Sequence, residues 1–325
     1  MEPIFESKII GQDLSQIEKA VRRAKVGLSL RNQPYGAFLL AGPTGVGKTE
    51  TVHALADYLH GNANQVLTIH CAEYQHSHEI ARLIGAPPGY LGHDTARPVL
   101  SQQALNQVTS MQSNVRLVLF DEIEKADPAL FQLTLGILDK GVLNLSTTKE
   151  TADFSQALVF FTTNLGSRDY NSQYSLSGQD FQVKSPKSAA ERAIRKFFSP
   201  EWLNRLTGIV YYKHLSHDHL WQIIHRRVIQ LQLLILIRRR RNLTLEITDD
   251  AVNQLIADGY SSRYGAREVL RTLDNLVLDY LTEKAEQEQD SDAKSTKVRL
   301  LLTCQNNQVV AVEISKKGLT QTSRA

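Results

Sequence analysis

Gly42-Pro43-Thr44-Gly45-Val46-Gly47-Lys48-Thr49 decides the fold, because residues 42–49 match the phosphate-binding pattern G-x-x-x-x-G-K-[ST] at every fixed position. An apolar run, 38–40, comes just before this motif, and a helical pattern from Thr49 to His60 follows it. Between a strand and a helix, glycines let backbone N–H groups turn inward, and the helix N-terminus adds partial positive charge. An ordinary glycine-rich turn is the alternative, which this context disfavours.

A nucleotide is therefore the expected ligand. Lys48 is expected to reach the β- and γ-phosphates of ATP, and Thr49 to hold the magnesium ion. The apolar run 117–120 ends in two carboxylates, Asp121 and Glu122. Asp121 suits a position in the outer coordination sphere of magnesium, where it would bind the ion's direct ligands. Glu122 is placed to polarise an attacking water. Two acids after a strand are often only a strand end. Combined with the phosphate motif, they predict hydrolysis of ATP and not binding alone.

Strand-like and helix-like segments alternate along the first two thirds of the chain. Short apolar runs at 38–40, 66–71, 115–120 and 158–162 predict strands, and amphipathic patterns at 49–60, 99–111 and 128–138 predict helices. This alternation predicts an α/β fold in which helices cover both faces of a parallel sheet. The polar stretch 165–190 is expected to be a long surface loop.

Composition changes after Lys213, which predicts a domain boundary. We expect a large nucleotide-binding domain at 1–213, a small mainly helical α/β domain at 214–315 and a flexible tail at 316–325. The small domain is predicted to hold helices at 214–240, 248–258 and 265–286 and strands at 298–303 and 309–314.

Composition excludes several classes of protein. A net charge of +3 is too small to indicate nucleic-acid binding, and two distant cysteines exclude a disulfide framework. The N-terminus lacks the pattern of a signal peptide, and the apolar run 231–237 is much shorter than a spanning helix requires. We therefore expect no association with a membrane, and we expect the protein to be cytoplasmic. The four arginines at 238–241 are interpreted as a solvated helix end, although contact with nucleic-acid phosphate stays open.

Several further stretches, taken together, resemble the Clp family of AAA+ ATPases, and the second ATPase module of its disaggregases and unfoldases most of all. They are IIGQ (9–12), RLIGAPPGYLG (82–92), LVLFDEIEKADP (117–128), TTNLGS (162–167), SPEWLNR (199–205) and YGAREVL (264–270). The resemblance covers roughly residues 5 to 315 and implies a P-loop AAA+ sheet with a small lid domain.

The resemblance also implies roles for single residues. Ile9 and Ile10 would pack beside the adenine, and Asn164 would be the first sensor near the γ-phosphate. Arg205 matches the arginine finger, which reaches into the site of a neighbouring subunit, and Arg267 matches the second sensor. Each arginine, taken alone, would be interpreted as a surface ion-pair partner.

Tyr90 and Leu91 lie between Gly89 and Gly92, on a backbone that glycine makes permissive. An aromatic and an aliphatic side chain can grip any extended polypeptide through apolar contact. A tight turn whose tyrosine packs in a core is the plainer interpretation. In the proteins this chain resembles, the equivalent loop lines the axial channel of a ring and drags polypeptide through it. The resemblance therefore implies a homo-hexameric unfoldase that acts on protein substrates.

Departures from the family pattern narrow this expectation. The chain carries one ATPase module, so substrate delivery would fall to an unknown adaptor. Residues 141–154 lack the later glycines and the arginine of a second axial loop, and no aliphatic-Gly-aliphatic tripeptide stands where a peptidase ring would dock. A peptidase partner is therefore not expected. Two other functions stay open: a regulatory AAA+ switch that remodels one partner complex without threading, and a DNA-associated AAA+ loader.

Overall fold

The computed structural model describes residues 4–5, 8–28, 33–85, 98–146, 150–166, 186–239, 243–261, 265–287, 298–315 and 318–322. The chain divides into two compact units, Met1–Lys213 and His214–Ala325.

The first unit is built on a five-stranded sheet. The strands of this sheet are β1 (Gly36–Ala41), β2 (Leu67–His70), β3 (Arg116–Asp121), β6 (Ala157–Thr163) and β7 (Gly208–Tyr211). Between β3 and β6 in the chain, a separate two-stranded hairpin is formed by β4 (Val142–Asn144) and β5 (Thr151–Asp153). The order across the sheet is β2-β3-β6-β1-β7, and every neighbouring pair is parallel. The carboxyl ends of all five strands therefore lie at one edge, where ligands of open α/β sheets bind.

Helices cover both faces of this sheet. They are α1 (Ser15–Lys25), α2 (Lys48–His60), α3 (Ala81–Ile84), α4 (Gln102–Gln107), α5 (Pro128–Lys140), α6 (Pro186–Phe197) and α7 (Pro200–Arg205), with 3-10 turns at Cys71–Glu73, Ser77–Ile80 and Ile123–Lys125. Successive strand residues enter opposite cores: Leu39 packs in one cluster, and Phe38 and Leu40 pack in the other. This double burial explains why β1 and β6 are apolar throughout their length.

The second unit packs helices against a four-stranded sheet. Its elements are α8 (His217–Arg239), β8 (Leu243–Ile247), α9 (Asp249–Gly259), α10 (Arg267–Gln287), β9 (Val298–Gln305), β10 (Gln308–Ser315) and β11 (Gly318–Thr322). The strand order is β11-β10-β9-β8, in which β8 and β9 are parallel and the other pairs antiparallel. Together with the first unit, this arrangement confirms the predicted fold class.

One helix in the described part of the chain, α8, is long and apolar enough over His217–Ile237 to cross a membrane by length and composition alone. Five of its residues, spaced three or four apart, are buried in the core of the second unit: Leu220, Ile224, Val228, Leu231 and Ile235. A core helix passes the same test of length and composition, so the finding is weak evidence for a span.

Four details differ from the sequence-based expectations. The helix predicted at 99–111 spans only Gln102–Gln107, because the Gln65 amide takes the carbonyls of Gln107 and Thr109 at 2.6 and 2.9 Å and so ends it. Helix α6 begins inside the stretch predicted to be a loop. Strands β4, β5, β7 and β8 were not predicted. Residues 318–322, predicted to be a flexible tail, form β11 and pair with β10, so β10 has backbone partners on both sides.

Candidate functional site

The phosphate loop joins β1 to α2 and needs glycine for two different reasons. A Cβ on Gly42 would lie 2.8 Å from the backbone oxygen of Tyr212, so the loop can pass this point only without a side chain. Gly47 caps α2 at φ 100°, a conformation that other residues adopt only with strain. The loop therefore delivers the N-terminus of α2 to the sheet edge, as the sequence motif predicts.

Lys48 is buried at the base of this loop, 8% exposed. Its ammonium donates to the carbonyl oxygens of Gly42 and Pro43 at 2.7 and 2.6 Å and to Oδ1 of Asn164 at 2.8 Å. A buried cation needs such partners because its desolvation is otherwise costly. The contact with Asn164 joins two predicted site residues that lie 116 positions apart in the chain.

Asp121 lies at the end of β3, next to the loop. Its Oδ1 accepts hydrogen bonds from the hydroxyls of Thr49 at 3.2 Å and Thr162 at 2.6 Å, and its Oδ2 lies 4.0 Å from Nδ1 of His70. Hydroxyl and carboxylate oxygens are the ligands that magnesium prefers. The chemistry of Thr49 and Asp121 therefore fits the ion, which would neutralise charge on the phosphates.

Glu122 adopts a left-handed backbone conformation, φ 57° and ψ 53°, which is strained for a residue with a side chain. Its N–H donates to Oγ1 of Thr162 at 2.8 Å, which holds the turn. Its carboxylate accepts from Nδ2 of Asn164 at 3.2 Å and pairs with Lys125. The hydrogen bond to Glu122 raises the pKa of Lys125. Glu122 thus projects from the sheet edge towards the same amide that contacts Lys48.

Asn164 is the link between the two charged groups. Its side-chain oxygen accepts from Lys48 while its side-chain nitrogen donates to Glu122, and its backbone N–H is held by Oε1 of Glu124 at 2.9 Å. The assignment of the amide oxygen and nitrogen follows from this network, because only this orientation satisfies both neighbours. An amide at this point can orient a water between a cation and a carboxylate.

Three residues of this network were not predicted to be site residues. Thr162 and Glu124 fix Asp121, Glu122 and Asn164, although both stand inside motifs quoted above. Gln12 contacts the carbonyl of Val46 at 3.5 Å and exchanges two hydrogen bonds with the backbone of Lys213. Their neutral or acidic side chains gave no separate signal, because their roles depend on partners far away in the sequence.

The remaining predicted residues are distributed as follows. Ile9 is buried in the core cluster that includes Val46, and Ile10 is half-buried. Arg205, the last residue of α7, forms an ion pair with Asp139. Arg267 is the exposed first residue of α10 in the second unit. Tyr90 and Leu91 lie outside the described residues.

Fold and site together define a P-loop nucleotide-binding domain with an acidic pair and a polar sensor at one sheet edge. Residues 33–209 match the AAA domain (Cdc48 subfamily) family, and residues 215–298 match the C-terminal, D2-small domain, of ClpB protein. The chain belongs to the AAA ATPases, and its two matched domains follow each other as in the second ATPase module of Clp proteins. The predicted family is confirmed.

Individual relatives agree with this assignment. The chaperone protein ClpB of Agrobacterium fabrum is 36% identical over 285 residues, which is 87% of this chain and 31% of that protein. The ATP-binding subunit ClpC of the Clp protease of Staphylococcus epidermidis is 34% identical over 289 residues, 87% of this chain and 34% of that protein. A closed-state cryo-EM reconstruction of Hsp104 with ATPγS and FITC casein gives a TM-score of 0.76 at 28% identity, over 93% of this chain and 50% of that one. The chain thus spans well under half the length of these two curated relatives.

Proposed function

We propose that this chain hydrolyses ATP and uses the energy to unfold or disassemble other proteins, acting as a homo-hexameric ring in the cytoplasm. The observation that carries the proposal is the Asn164 amide, which contacts both Lys48 and Glu122. This arrangement suits a reaction in which a water held at the carboxylate attacks a phosphate held at the cation. A site that only bound ATP would need the cation of Lys48 but not the contact between Asn164 and Glu122.

Each residue has a defined part in the proposed reaction. Lys48 and the N–H groups of the loop hold the phosphates. Thr49 and Asp121 would hold magnesium, which would neutralise the negative charge of the phosphates. Glu122 polarises the water, and Asn164 orients it. Arg205 acts in the site of a neighbouring subunit, where an arginine stabilises transition-state charge. Arg267 senses the nucleotide within its own chain, and Ile9 and Ile10 pack beside the adenine.

Protein is the proposed substrate class for two reasons. The sequence places Tyr90 and Leu91 between glycines, a pattern suited to gripping an extended chain without reading its sequence. In addition, relatives that share both domains are named as chaperones or as subunits of a Clp protease, and Hsp104 was imaged with casein. An adaptor that delivers substrate belongs to the proposal, and a peptidase partner does not.

The test is capture of the substrate by a variant that binds ATP but does not cleave it. Glu122→Gln protein is incubated with ATP in a cell extract and its bound proteins are identified. The matched control is Glu191→Gln, which removes a carboxylate from an exposed ion pair on α6. We expect the first variant to form a ring by light scattering and to retain proteins that the control and an ADP sample do not. A monomeric variant, or one that retains only DNA, would contradict the proposal.

A further inference from the structure

Arg205 has a partner within its own chain. Its Nη1 lies 3.2 Å from Oδ1 of Asp139, and the two side chains are 41% and 39% exposed. The ion pair therefore lies at the surface of the first unit, where an arginine is free to meet another molecule. Such an exposed ion pair contributes little to folding stability, so stability does not explain why the pair is present.

The backbone beneath Arg205 is rigidly supported. Trp202, one helical turn earlier on α7, is 1% exposed and donates from Nε1 to Oγ1 of Thr134 on α5 at 3.0 Å. Its ring stacks on Phe198 at a centroid distance of 4.7 Å and meets the edge of Phe161 at 4.9 Å. Since the helix is anchored in this way, the direction of the guanidinium depends mainly on what the flexible side chain of Arg205 contacts.

The carboxylate of Asp139 lies where helix electrostatics is unfavourable to it. It occupies the last turn of α5, which ends at Lys140 and is capped by Gly141 at φ 64°. The partial negative charge at a helix C-terminus disfavours a carboxylate there. A carboxylate that helix electrostatics disfavours, and that forms a surface ion pair with Arg205, is better explained by what it does to Arg205 than by folding.

We propose that Asp139 is a positioning residue that holds the guanidinium of Arg205 in the direction needed to enter a neighbouring subunit's site. The inference rests on the proposed role of Arg205 in that site. The same helix also begins close to its own chain's acid: its N-cap, Asp127, follows Glu122 after a single 3-10 turn. Helix α5 therefore begins close to Glu122, which polarises water in the chain's own site. Its last turn contains Asp139, which contacts the arginine that would enter the neighbouring subunit's site.

The test compares steady-state ATP hydrolysis by assembled Asp139→Asn, Asp139→Glu and Arg205→Ala proteins, with Glu191→Gln as a control for losing a carboxylate from an exposed ion pair. We expect Arg205→Ala to lower kcat by about a thousandfold, as loss of an arginine finger does. Asp139→Asn should lower kcat by about tenfold, the lower end of what loss of an orienting partner costs, with KM for ATP unchanged. Asp139→Glu should restore most of the rate. The melting temperature of Asp139→Asn should not fall.

The double variant Asp139→Asn/Arg205→Ala decides between positioning and an independent effect. If Asp139 acts through Arg205, the double variant hydrolyses ATP at the rate of Arg205→Ala. The inference would be overturned if the double variant lost a further tenfold in rate, or if Asp139→Asn were fully active while Arg205→Ala was slow. Either result would leave the proposed role of Arg205 as an arginine finger unchanged. Full activity of Arg205→Ala would refute the finger itself, and with it this inference.

Discussion

The hydroxyl of Thr162 lies 2.6 Å from Oδ1 of Asp121 and accepts the backbone N–H of Glu122 at 2.8 Å, so one threonine on β6 fixes both Asp121, the last residue of β3, and Glu122, which follows it. Thr162 is 1% exposed, which keeps water from replacing either contact. The strained turn at Glu122 is therefore maintained by a residue of the neighbouring strand.

Replacement of Thr162 by valine keeps the shape of the side chain and removes both hydrogen bonds. We expect kcat for ATP hydrolysis to fall by about ten- to hundredfold, as when a group that orients an active-site residue is lost. Unfolding free energy should fall by about 1–3 kcal/mol, because the N–H of Glu122 loses its partner. Both quantities are measured on the purified protein, by phosphate release and by denaturant titration.

Thr163→Val is the matched control. Thr163 is equally buried on the same strand, and its hydroxyl accepts the N–H of Leu165 at 3.2 Å. We expect this variant to lose comparable stability and to keep most of its activity. Equal losses of activity in the two variants would show that Thr162 acts only through folding.

Lys48 and Asn164 should separate binding from hydrolysis, although they contact each other. Lys48→Ala removes the buried cation that meets the phosphates and should abolish binding of a fluorescent ATP analogue. Asn164→Ala should leave that affinity within a few-fold and slow hydrolysis by about 10²–10³-fold, the usual loss when a polar group directed at the reacting centre is removed. Loss of binding in both variants would contradict separate roles.

Gly166 allows α6 to approach the strand end that carries Asn164. It has φ 79°, and a Cβ there would lie 2.6 Å from Cα of Ala190. Gly166→Ala should therefore lower both the stability of the first unit and the rate of hydrolysis. Gly61→Ala is the control: its φ is 68°, but the nearest atoms lie 3.7 Å away in a side chain. That variant should lose only about 1 kcal/mol from strain and keep its rate. Equal effects would exclude a role for the close approach.

Stability of the first unit should decrease as the pH falls below neutrality. Burial lowers the pKa of His60 below its ordinary value of 6.5, and a hydrogen bond to the backbone of Val115 offsets this only in part. The folded state therefore favours the neutral ring, whereas the unfolded chain binds a proton near pH 6.5. The stabilising contribution is complete above that pH and is lost progressively below it.

Trp202 reports on this unit and Trp221 on the other, so unfolding is followed by fluorescence in a Trp221→Phe background. His60→Gln should flatten the decrease in unfolding midpoint between pH 7 and pH 5. His53→Gln, on the same helix, controls for loss of a histidine. An unchanged slope in His60→Gln would assign the pH dependence to other groups.

Much of the site was predictable because its residues lie in short motifs whose chemistry is local. The loop at 42–49 and the acids Asp121 and Glu122 are recognisable within a dozen positions of sequence. The roles of Thr162 and Asp139 are not, since each is defined by partners 40 or more positions away. Strand β7 escaped prediction for a similar reason: its four residues form a strand because they pair with β1.

The most direct test of the account is phosphate release by Glu122→Gln protein beside the unmodified chain, with ATP affinity measured on both. The account predicts that both bind ATP with similar affinity and that only the unmodified chain turns it over, with the variant slower by at least about a hundredfold. Hydrolysis by the variant at the unmodified rate, or ATP binding without turnover by the unmodified chain, would contradict the claim that this cluster is a hydrolytic centre.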